Sequence, residues 1–439
     1  MQKIHFTLLS VALIFIFSCG NTPTAIDRPN VILIIIDTLR ADHLSCYGYC
    51  RDTSPSLDSL AAAGTRWENC QAQAPWTLPS TATIFTGLNA KQHGTGRRLD
   101  GDHRLHSEVP IIPTIFSDAG YRTCGIFNVV LLNENHGFSR GFDHYSCNDL
   151  GARRAALTVN EFLQWLESDN DERPFLAVLH FFDVHTPYDP PPPYDNMYFP
   201  DDTLEVYYWE ITDDGRIVHP EHLEHFLSRY DGGITWVDTQ LGRLFSELRL
   251  RGYADSTIIM VAADHGEEFL EWGWVGHGGQ LYQELLHVPL FMSGPGIPAG
   301  EIIMEPAGLF DILPTLLSIC SIENTTCVEG VDLFSLAARD IRPLPASQLM
   351  FPGLMLGETP IAAVVYGSMK GLVTREGSTD SYYMFDLQTV SGERIPLEAD
   401  STLMELLDYY RATPMLWDPP RVQDLDSSST RVLEDLGYI

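Results

Sequence analysis

Runs of apolar residues alternate with amphipathic stretches along most of the chain. Every position from Val31 to Ile36 is apolar, which is typical of a strand covered on both faces. The segments Phe175–Phe182 and Thr257–Ala262 have the same character. Helical spacing of apolar residues predicts helices at Leu57–Ala63, Asn160–Glu167 and Thr235–Leu250. Strands separated by helices indicate an α/β domain with a mostly parallel sheet, spanning residues 29–345.

The pattern changes after this first domain. Short strands are predicted at Ala362–Tyr366 and Ser381–Asp386, and a helix at Thr402–Tyr410. These elements predict a smaller C-terminal α+β subdomain over residues 346–412. The remaining residues, 413–439, are rich in proline and serine and are predicted to form a surface tail.

The N-terminus has the features of an export signal. Lys3 precedes an apolar run from Phe6 to Phe17, which is shorter than the roughly 20 residues that span a bilayer. Ser18-Cys19 is similar to the cleavage box of bacterial lipoproteins, in which the cysteine is lipidated. We therefore expect a signal peptide at 1–18, a tether at 19–28 and attachment to the bacterial cell envelope. An ordinary signal peptide with an incidental Cys19 is the alternative, and the protein is then secreted.

Composition excludes several classes of protein. Of 439 residues, 44% are hydrophobic and 20% charged, so the chain can bury a large core and is neither disordered nor fibrous. The 59 acidic residues outnumber the 27 basic ones, giving a formal charge of −32. A protein this negative is repelled by a phosphate backbone, so we expect no nucleic-acid partner.

The cysteine count leaves disulfide pairing open. If Cys19 is lipidated, seven cysteines remain, and an odd number cannot all pair. Cys46 with Cys50 and Cys320 with Cys327 are the local candidates in an oxidising compartment.

Candidate metal ligands lie at the predicted ends of strands. Asp37 follows the first strand, and Asp264-His265 follows the strand Thr257–Ala262. In open α/β sheets, ligands bind beyond the carboxyl ends of the strands. An adjacent carboxylate and imidazole are typical of metal ligands, whereas an isolated Asp after a strand, as Asp37 is when taken alone, is usually a helix cap.

A candidate nucleophile lies at a predicted helix start. Pro79 and the closing Gly87 indicate a helix that begins near Thr77. The N–H groups at a helix start favour negative charge, and a metal ion can lower the pKa of a hydroxyl there. The alternative is that Thr77 only caps the helix.

Motifs along most of the chain together resemble one family. They are Arg28-Pro29-Asn30, Leu39 to Gly48, Trp76 to Ser80, Thr86-Gly87, His93-Gly94, His180 to Pro190, Ala263 to Glu267, Gly276-His277-Gly278, His287 to Leu290, Gly294-Pro295-Gly296, Asp311 to Leu317 and Leu436-Gly437-Tyr438. In this order they are similar to the sulfatase family of the alkaline phosphatase superfamily. The resemblance implies that family's mixed, mostly parallel sheet flanked by helices, with a smaller C-terminal α+β subdomain.

Departures from the family pattern change the expected chemistry. Most sulfatases carry Cys or Ser, then x-Pro-x-Arg, and oxidise the first residue to formylglycine. Here Thr77 occupies the position of the Cys or Ser, and it cannot form that aldehyde. Thr81 occupies the position of the Arg. Where the family usually has an Asp-Asp pair, this chain has Asp37-Thr38. Where the family usually has Asp-Asn, this chain has Asp264-His265. This set resembles the single-metal site of the family's threonine-dependent phosphodiesterases and phosphoglycerol transferases.

The resemblance implies one divalent cation held by Asp37, Thr77, Asp264 and His265. Zn²⁺ or Mn²⁺ suits these ligands better than Ca²⁺, which prefers oxygen alone. Thr77 is then the expected nucleophile, with His185 and His277 as the further catalytic residues.

The expected function is a metal-dependent hydrolase that cleaves phosphate, phosphonate or sulfate esters outside the cytoplasm. Its substrate would be an anionic ester in a small molecule, glycan or lipid head group. The protein would be attached to the membrane through lipidated Cys19. A phosphoglycerol- or phosphoethanolamine-type transferase is one alternative, and a non-catalytic binding lipoprotein is another.

Three further features carry weaker expectations. Arg40 and Lys91 could bind an anion, although a lone cation is usually a surface residue. Asp183 with His185 and His277 could hold a second metal ion.

Overall fold

The computed structural model describes residues 28–98, 101–149, 153–168, 171–202, 204, 222–273, 275–347, 359–389, 392–398 and 400–416. The predicted signal peptide, Cys19 and nearly all of the predicted tether lie outside these residues, as does the predicted tail beyond residue 416. Within the described ranges, no helix is both long enough and apolar enough to cross a bilayer.

Seventeen strands and nine α-helices are described. The strands are β1 Asn30–Ile36, β2 Thr65–Gln71, β3 Gly96–Arg98, β4 Gly101–His103, β5 Arg122–Phe127, β6 His144–Cys147, β7 Phe175–Phe181, β8 Thr257–Ala263, β9 Glu268–Phe269, β10 Val275–Gly276, β11 His287–Ser293, β12 Glu301–Ile303, β13 Ala307–Gly308, β14 Leu344–Ser347, β15 Thr359–Tyr366, β16 Met369–Glu376 and β17 Thr379–Asp386. The helices are α1 Pro55–Ala62, α2 Thr77–Thr86, α3 Ala90–His93, α4 Ile112–Asp118, α5 Ala155–Glu167, α6 Leu223–Leu250, α7 Gln283–Leu286, α8 Ile312–Ile319 and α9 Ser401–Ala412.

A nine-stranded sheet forms the centre of the molecule, in the order β12-β2-β11-β8-β1-β7-β5-β6 with β13 also paired to β2. Strand β1 runs parallel to both β7 and β8, and β5 runs parallel to β7 and β6. Because β11 is antiparallel to β8 and β2, the sheet is mixed. Residues 31–36 are fully buried, as their apolar run predicts. The expected mixed, mostly parallel α/β architecture is confirmed.

Helix α6 begins twelve residues earlier than predicted, at Leu223 rather than Thr235. Asp231-Gly232-Gly233 interrupts the apolar spacing on which the prediction rested. Two close contacts require the glycines: a Cβ on Gly232 would lie 2.1 Å from the Tyr194 carbonyl oxygen, and one on Gly233 would lie 2.9 Å from that of Asp183. The glycines therefore let other backbone segments approach the helix and do not end it.

The C-terminal subdomain is a four-stranded antiparallel sheet, β14-β15-β16-β17, with α9 packed on β15 and β16. Its small core includes Val364, Val373 and Leu407. Strand β16, which the sequence analysis did not identify, joins the two predicted strands. Pro345, the predicted domain boundary, lies inside β14. Leu344 and Pro345, which the prediction assigned to the first domain, therefore belong to this sheet.

A buried ion pair connects this sheet to the main domain. Lys370 on β16 is fully buried, and its Nζ lies 2.5 Å from Glu393 Oε1. The same ammonium donates to the carbonyl of Leu281, and Glu393 Oε2 accepts the backbone N–H of Gln283 at 2.6 Å. Both members of the pair therefore hold the segment that leads into α7.

Neither of the two disulfides considered from the sequence is present. Cys46, Cys50, Cys320 and Cys327 are all free, as are the other cysteines in the described ranges. Cys320 is buried in the main core whereas Cys327 is exposed, so proximity in sequence does not bring the two thiols together.

Replacing Lys370 by Met should lower the free energy of unfolding by about 3–5 kcal/mol, because it leaves the Glu393 carboxylate buried without its partner. Urea unfolding measures this value. Arg375→Met is the matched control, since Arg375 pairs with Asp380 at the exposed end of the same strand and should contribute little. Equal losses in the two variants would contradict a structural role for the buried pair.

Candidate active site

The carboxyl ends of β1 and β8 bring the first two candidate residues together. Ile36 pairs with Ala263 in parallel register, so Asp37 and Asp264, which follow them, are neighbours at one edge of the sheet. The backbone N–H of Asp37 donates to the carbonyl of Phe181 on β7, which fixes the strand end on its other side. Both carboxylates are fully buried. The sheet edge thus places two carboxyl groups side by side, away from water.

His265 completes a group of three possible metal ligands. Ligand atoms of Asp37, Asp264 and His265 all lie within 4.8 Å of one another, the one such group in the part of the chain that the structure describes. His265 Nδ1 donates to the carbonyl of Gly266 at 2.8 Å, which leaves Nε2 to face the carboxylates. That nitrogen lies 3.5 Å from both Asp37 Oδ1 and Asp264 Oδ2.

The backbone after His265 is held by a close approach. A Cβ on Gly266 would lie 2.0 Å from the carbonyl oxygen of Glu284, and the N–H of Gly266 donates to Leu285. Glycine is therefore required next to the imidazole ligand, because any side chain would displace α7.

Thr77 is the first residue of α2 and joins this group. Trp76 is extended before it, and the helix ends at Thr86, before Gly87, as predicted. Thr77 Oγ1 lies 3.4 Å from Asp37 Oδ2 and 3.3 Å from His265 Nε2. In the first turn of the same helix, the Ser80 hydroxyl donates a hydrogen bond to the backbone carbonyl of Asp264. This contact attaches α2 to the residue that follows β8.

The donor set fits a divalent cation. Among the described residues, Asp37 Oδ1 and Asp264 Oδ2 are buried and find no hydrogen-bond partner, although buried carboxylates are normally paired. Burial and the neighbouring charge of Glu267 raise the pKa of Asp37 well above its usual value. Burial and the charge of Asp37 raise the pKa of Asp264 to about 7. Two oxygens that lack a partner, beside an imidazole nitrogen, match the ligands of a borderline cation such as Zn²⁺ or Mn²⁺.

His277 and His185 lie beside the group. The His277 ring centroid is 4.4 Å from that of His265 and 4.8 Å from that of His185. His277 Nδ1 is 2.8 Å from Glu267 Oε1, and His185 Nδ1 donates to the carbonyl of Thr186 at 2.8 Å. All six residues predicted for the site are therefore adjacent in the fold.

Burial sets the protonation of the Glu267–His277 pair. It raises the pKa of Glu267 to about 8 and lowers that of His277 to about 3. The neutral pair holds one proton between Glu267 Oε1 and His277 Nδ1, and a second on His277 Nε2. The pair can therefore donate a proton to a reacting group at Nε2.

The structure gives other contacts to Arg40, Lys91 and Asp183, the residues with the weaker expectations. Arg40 is bound by Asp42 and Glu271, and Lys91 donates to the carbonyl of Arg411 in α9, so both cations serve packing. Asp183 Oδ1 accepts the N–H of Ala155 and the indole of Trp236. It thus supports the start of α5, and the possible metal ligands that lie together in the described ranges do not include Asp183 with the two histidines.

Two residues that the sequence analysis did not assign also belong to the site. Glu267 directly follows the Asp-His-Gly motif, and its position there was the available signal. His180 is fully buried, with Nε2 3.2 Å from Asp37 Oδ2. It is the one polar residue of Phe175–Phe181, and a lone histidine in an apolar strand is easily interpreted as core.

Comparison with known proteins identifies the family of the chain. The sulfatase family model matches residues 29–322, which is more than half of the chain. The chain belongs to the sulfatase family. This is a family of metal-dependent ester hydrolases within the alkaline phosphatase superfamily, and an arylsulfatase of Clostridium perfringens is 27% identical over 376 residues, covering 70% of this chain and 78% of that protein.

Solved structures share the fold of this sulfatase. A protein in complex with its substrate D-glucosamine-2-N,6-O-disulfate superposes with a TM-score of 0.74 at 19% identity, covering 88% of this chain and 97% of the other. The phosphonate monoester hydrolase of Agrobacterium radiobacter gives a TM-score of 0.69 at 20% identity, covering 88% and 94%. At these identities the likeness establishes the fold.

The stabilisation of the protein by Mn²⁺ should increase with pH. The raised pKa values of Asp37 and Asp264 mean that these two carboxyls hold more protons in the folded, metal-free protein than in the unfolded chain between about pH 4 and pH 7, so their contribution to stability falls as pH rises through this window. Cation binding displaces these protons. The melting temperature gained on adding Mn²⁺ should therefore grow from about pH 5 to about pH 8.

Differential scanning fluorimetry of chelated protein, with and without Mn²⁺, measures this gain. Asp264→Asn should reduce it at every pH, since the variant lacks one titrating ligand. A gain that does not change with pH in the wild-type protein would contradict the assigned ligands.

Proposed function

We propose that this sulfatase-family enzyme uses Thr77 as a nucleophile to hydrolyse phosphate or phosphonate esters with the help of one divalent cation. The proposal rests on one observation: Thr77 Oγ1 lies 3.4 Å from Asp37 Oδ2 and 3.3 Å from His265 Nε2, beside two buried carboxylate oxygens without partners. Asp37, Thr77, Asp264 and His265 would hold the cation, which we expect to be Zn²⁺ or Mn²⁺. When bound, it would lower the pKa of the hydroxyl and offset negative charge on the substrate.

The position of Thr77 suits attack on an anionic ester. As the first residue of α2, it lies where unpaired backbone N–H groups favour negative charge. The surrounding Asp37 and Asp264 would repel an anion without a countercharge, so substrate binding and cation binding should be coupled. Full burial of these groups strengthens every electrostatic interaction within the site.

In the first step, Thr77 Oγ1 forms a bond to phosphorus and the bond to the ester oxygen breaks. The hydroxyl proton is lost to solvent water, and the departing oxygen takes the proton of His277 Nε2 while the Glu267 proton moves onto His277 Nδ1. In the second step, water attacks the same phosphorus and gives its proton to His277 Nε2, and the Nδ1 proton returns to Glu267. The threonine oxygen then leaves and takes up a proton from solvent water, which restores every group. His185, with Nδ1 donating to Thr186, is left to orient substrate or water through Nε2.

The identity of the nucleophile favours phosphorus over sulfur. The hydrated formylglycine of most sulfatases has a second hydroxyl whose deprotonation expels sulfate. Thr77 has a single hydroxyl, so a sulfated threonine would have to be released by direct attack on sulfur. A sulfate ester is therefore the second candidate substrate, favoured by the named activity of the Clostridium perfringens relative.

Two further parts of the proposal concern the setting of the enzyme. The apolar N-terminal run and Cys19 support export and lipid attachment at the cell envelope. Retention of Asp37, Asp264 and His265 favours an enzyme over a binding scaffold, because a scaffold has no need to keep carboxylates buried together.

Thr77→Ala should lower kcat/KM for aryl phosphate, phosphodiester or phosphonate substrates by about 1000-fold or more, because the covalent step is lost. Thr77→Ser, which keeps the hydroxyl, should retain activity. The assay uses purified protein after metal exchange, with aryl sulfate measured in parallel. Tandem mass spectrometry of quenched turnover should find phosphothreonine at residue 77.

Different results separate the alternatives. Cleavage of aryl sulfate that survives Thr77→Ala would overturn the assigned nucleophile. Inactivity of wild-type and variant proteins alike on every substrate would favour the scaffold. Turnover only with an added alcohol acceptor would indicate a transferase.

A further inference from the structure

The imidazole ring of His180 is buried next to the proposed metal ligands and has no hydrogen bond to any residue that the structure describes. It lies on β7 in register with Ile35 of β1, on the same face of the sheet as Asp37 two residues further. Its exposed fraction is 0%, and neither ring nitrogen makes a hydrogen bond within the described part of the chain. Nε2 nevertheless lies 3.2 Å from Asp37 Oδ2.

The surroundings hold the ring in this position. Phe127 stacks on the imidazole with centroids 6.3 Å apart, and Phe182 lies 6.2 Å away on a tilted plane. The backbone carbonyl of His180 accepts the side-chain N–H of Asn128, which anchors the end of β7 to the residue that follows β5. An apolar side chain of similar size would fill this space without leaving two buried nitrogens unsatisfied.

A histidine kept here at a cost in stability points to a role at the neighbouring carboxylate. Asp37 Oδ2 faces His180 and Thr77, whereas Asp37 Oδ1 faces His265 Nε2 at 3.5 Å and has no hydrogen-bond partner. The two oxygens therefore have different surroundings. A polar contact on Oδ2 fixes the rotation of the carboxylate and keeps Oδ1 directed toward the other ligands.

We propose that His180 is a positioning residue of the metal centre, which holds Asp37 through the contact of Nε2 with Oδ2 and so raises the affinity for a divalent cation. The inference rests on the proposed function, because it assumes that Asp37 binds the cation. Groups that contact metal ligands typically change metal affinity by about 10- to 100-fold when they are replaced.

The proposal predicts opposite effects of one substitution on stability and on metal affinity. His180→Leu removes two unsatisfied buried nitrogens, so the melting temperature of the metal-free protein should stay equal or rise. The dissociation constant for Mn²⁺ should increase about 10- to 100-fold. His180→Gln keeps an N–H group that can reach Asp37 and should recover part of the affinity.

Calorimetric titration of the chelated full-length protein with Mn²⁺ measures these constants, and scanning calorimetry measures the melting temperatures. His136→Leu is the matched control: His136 is equally buried but its ring bonds Asn133 in the loop after β5. This control should lower the melting temperature and leave the Mn²⁺ dissociation constant unchanged.

Each contrary result identifies what fails. If wild-type protein binds Mn²⁺ and His180→Leu binds it equally well, the positioning role is wrong and the proposed function stands. If wild-type protein binds no Mn²⁺, both are overturned. A loss of affinity accompanied by a fall in melting temperature as large as that of His136→Leu would overturn the proposal by giving His180 a structural role.

Discussion

The repulsion between two carboxylates buried at one edge of the central sheet is the constraint on which the rest of the site depends. Parallel pairing of β1 and β8 places Asp37 and Asp264 side by side, away from water. Burial is the main reason that both pKa values are raised, and the nearby charges of Glu267 for Asp37 and of Asp37 for Asp264 add to it. A divalent cation would convert this unfavourable arrangement into a binding site, and the neighbouring imidazole and hydroxyl provide the remaining ligands.

The fold explains why these groups can be held together. Strand β1 lies between two parallel neighbours in the middle of a nine-stranded sheet, so the position of Asp37 is fixed from both sides. Ser80 attaches α2 to the end of β8, and Gly266 lets α7 approach the backbone next to His265. The C-terminal sheet contributes through Lys370, whose ammonium group donates a hydrogen bond to the backbone carbonyl of Leu281. This contact holds the segment before α7. Elements far apart in sequence thus position one cluster.

Sequence patterns predicted the centre of the fold because its strands are apolar at every position. Asp37, Asp264 and Thr77 were predictable because each follows a strand or begins a helix with recognisable boundary residues. The early start of α6 was not predictable, since Gly232 normally weakens a helix and only the approach of another segment explains it. His180 escaped assignment for a similar reason: its significance depends on the neighbour across the sheet.

The central claim is that one cation is bound by Asp37, Thr77, Asp264 and His265 and acts on the Thr77 hydroxyl. Anomalous scattering from a crystal of the Mn²⁺- or Zn²⁺-loaded protein tests it most directly. The account predicts a single strong peak about 2.0–2.3 Å from donor atoms of all four residues. A peak elsewhere, or one that excludes the Thr77 oxygen from coordination, would contradict it.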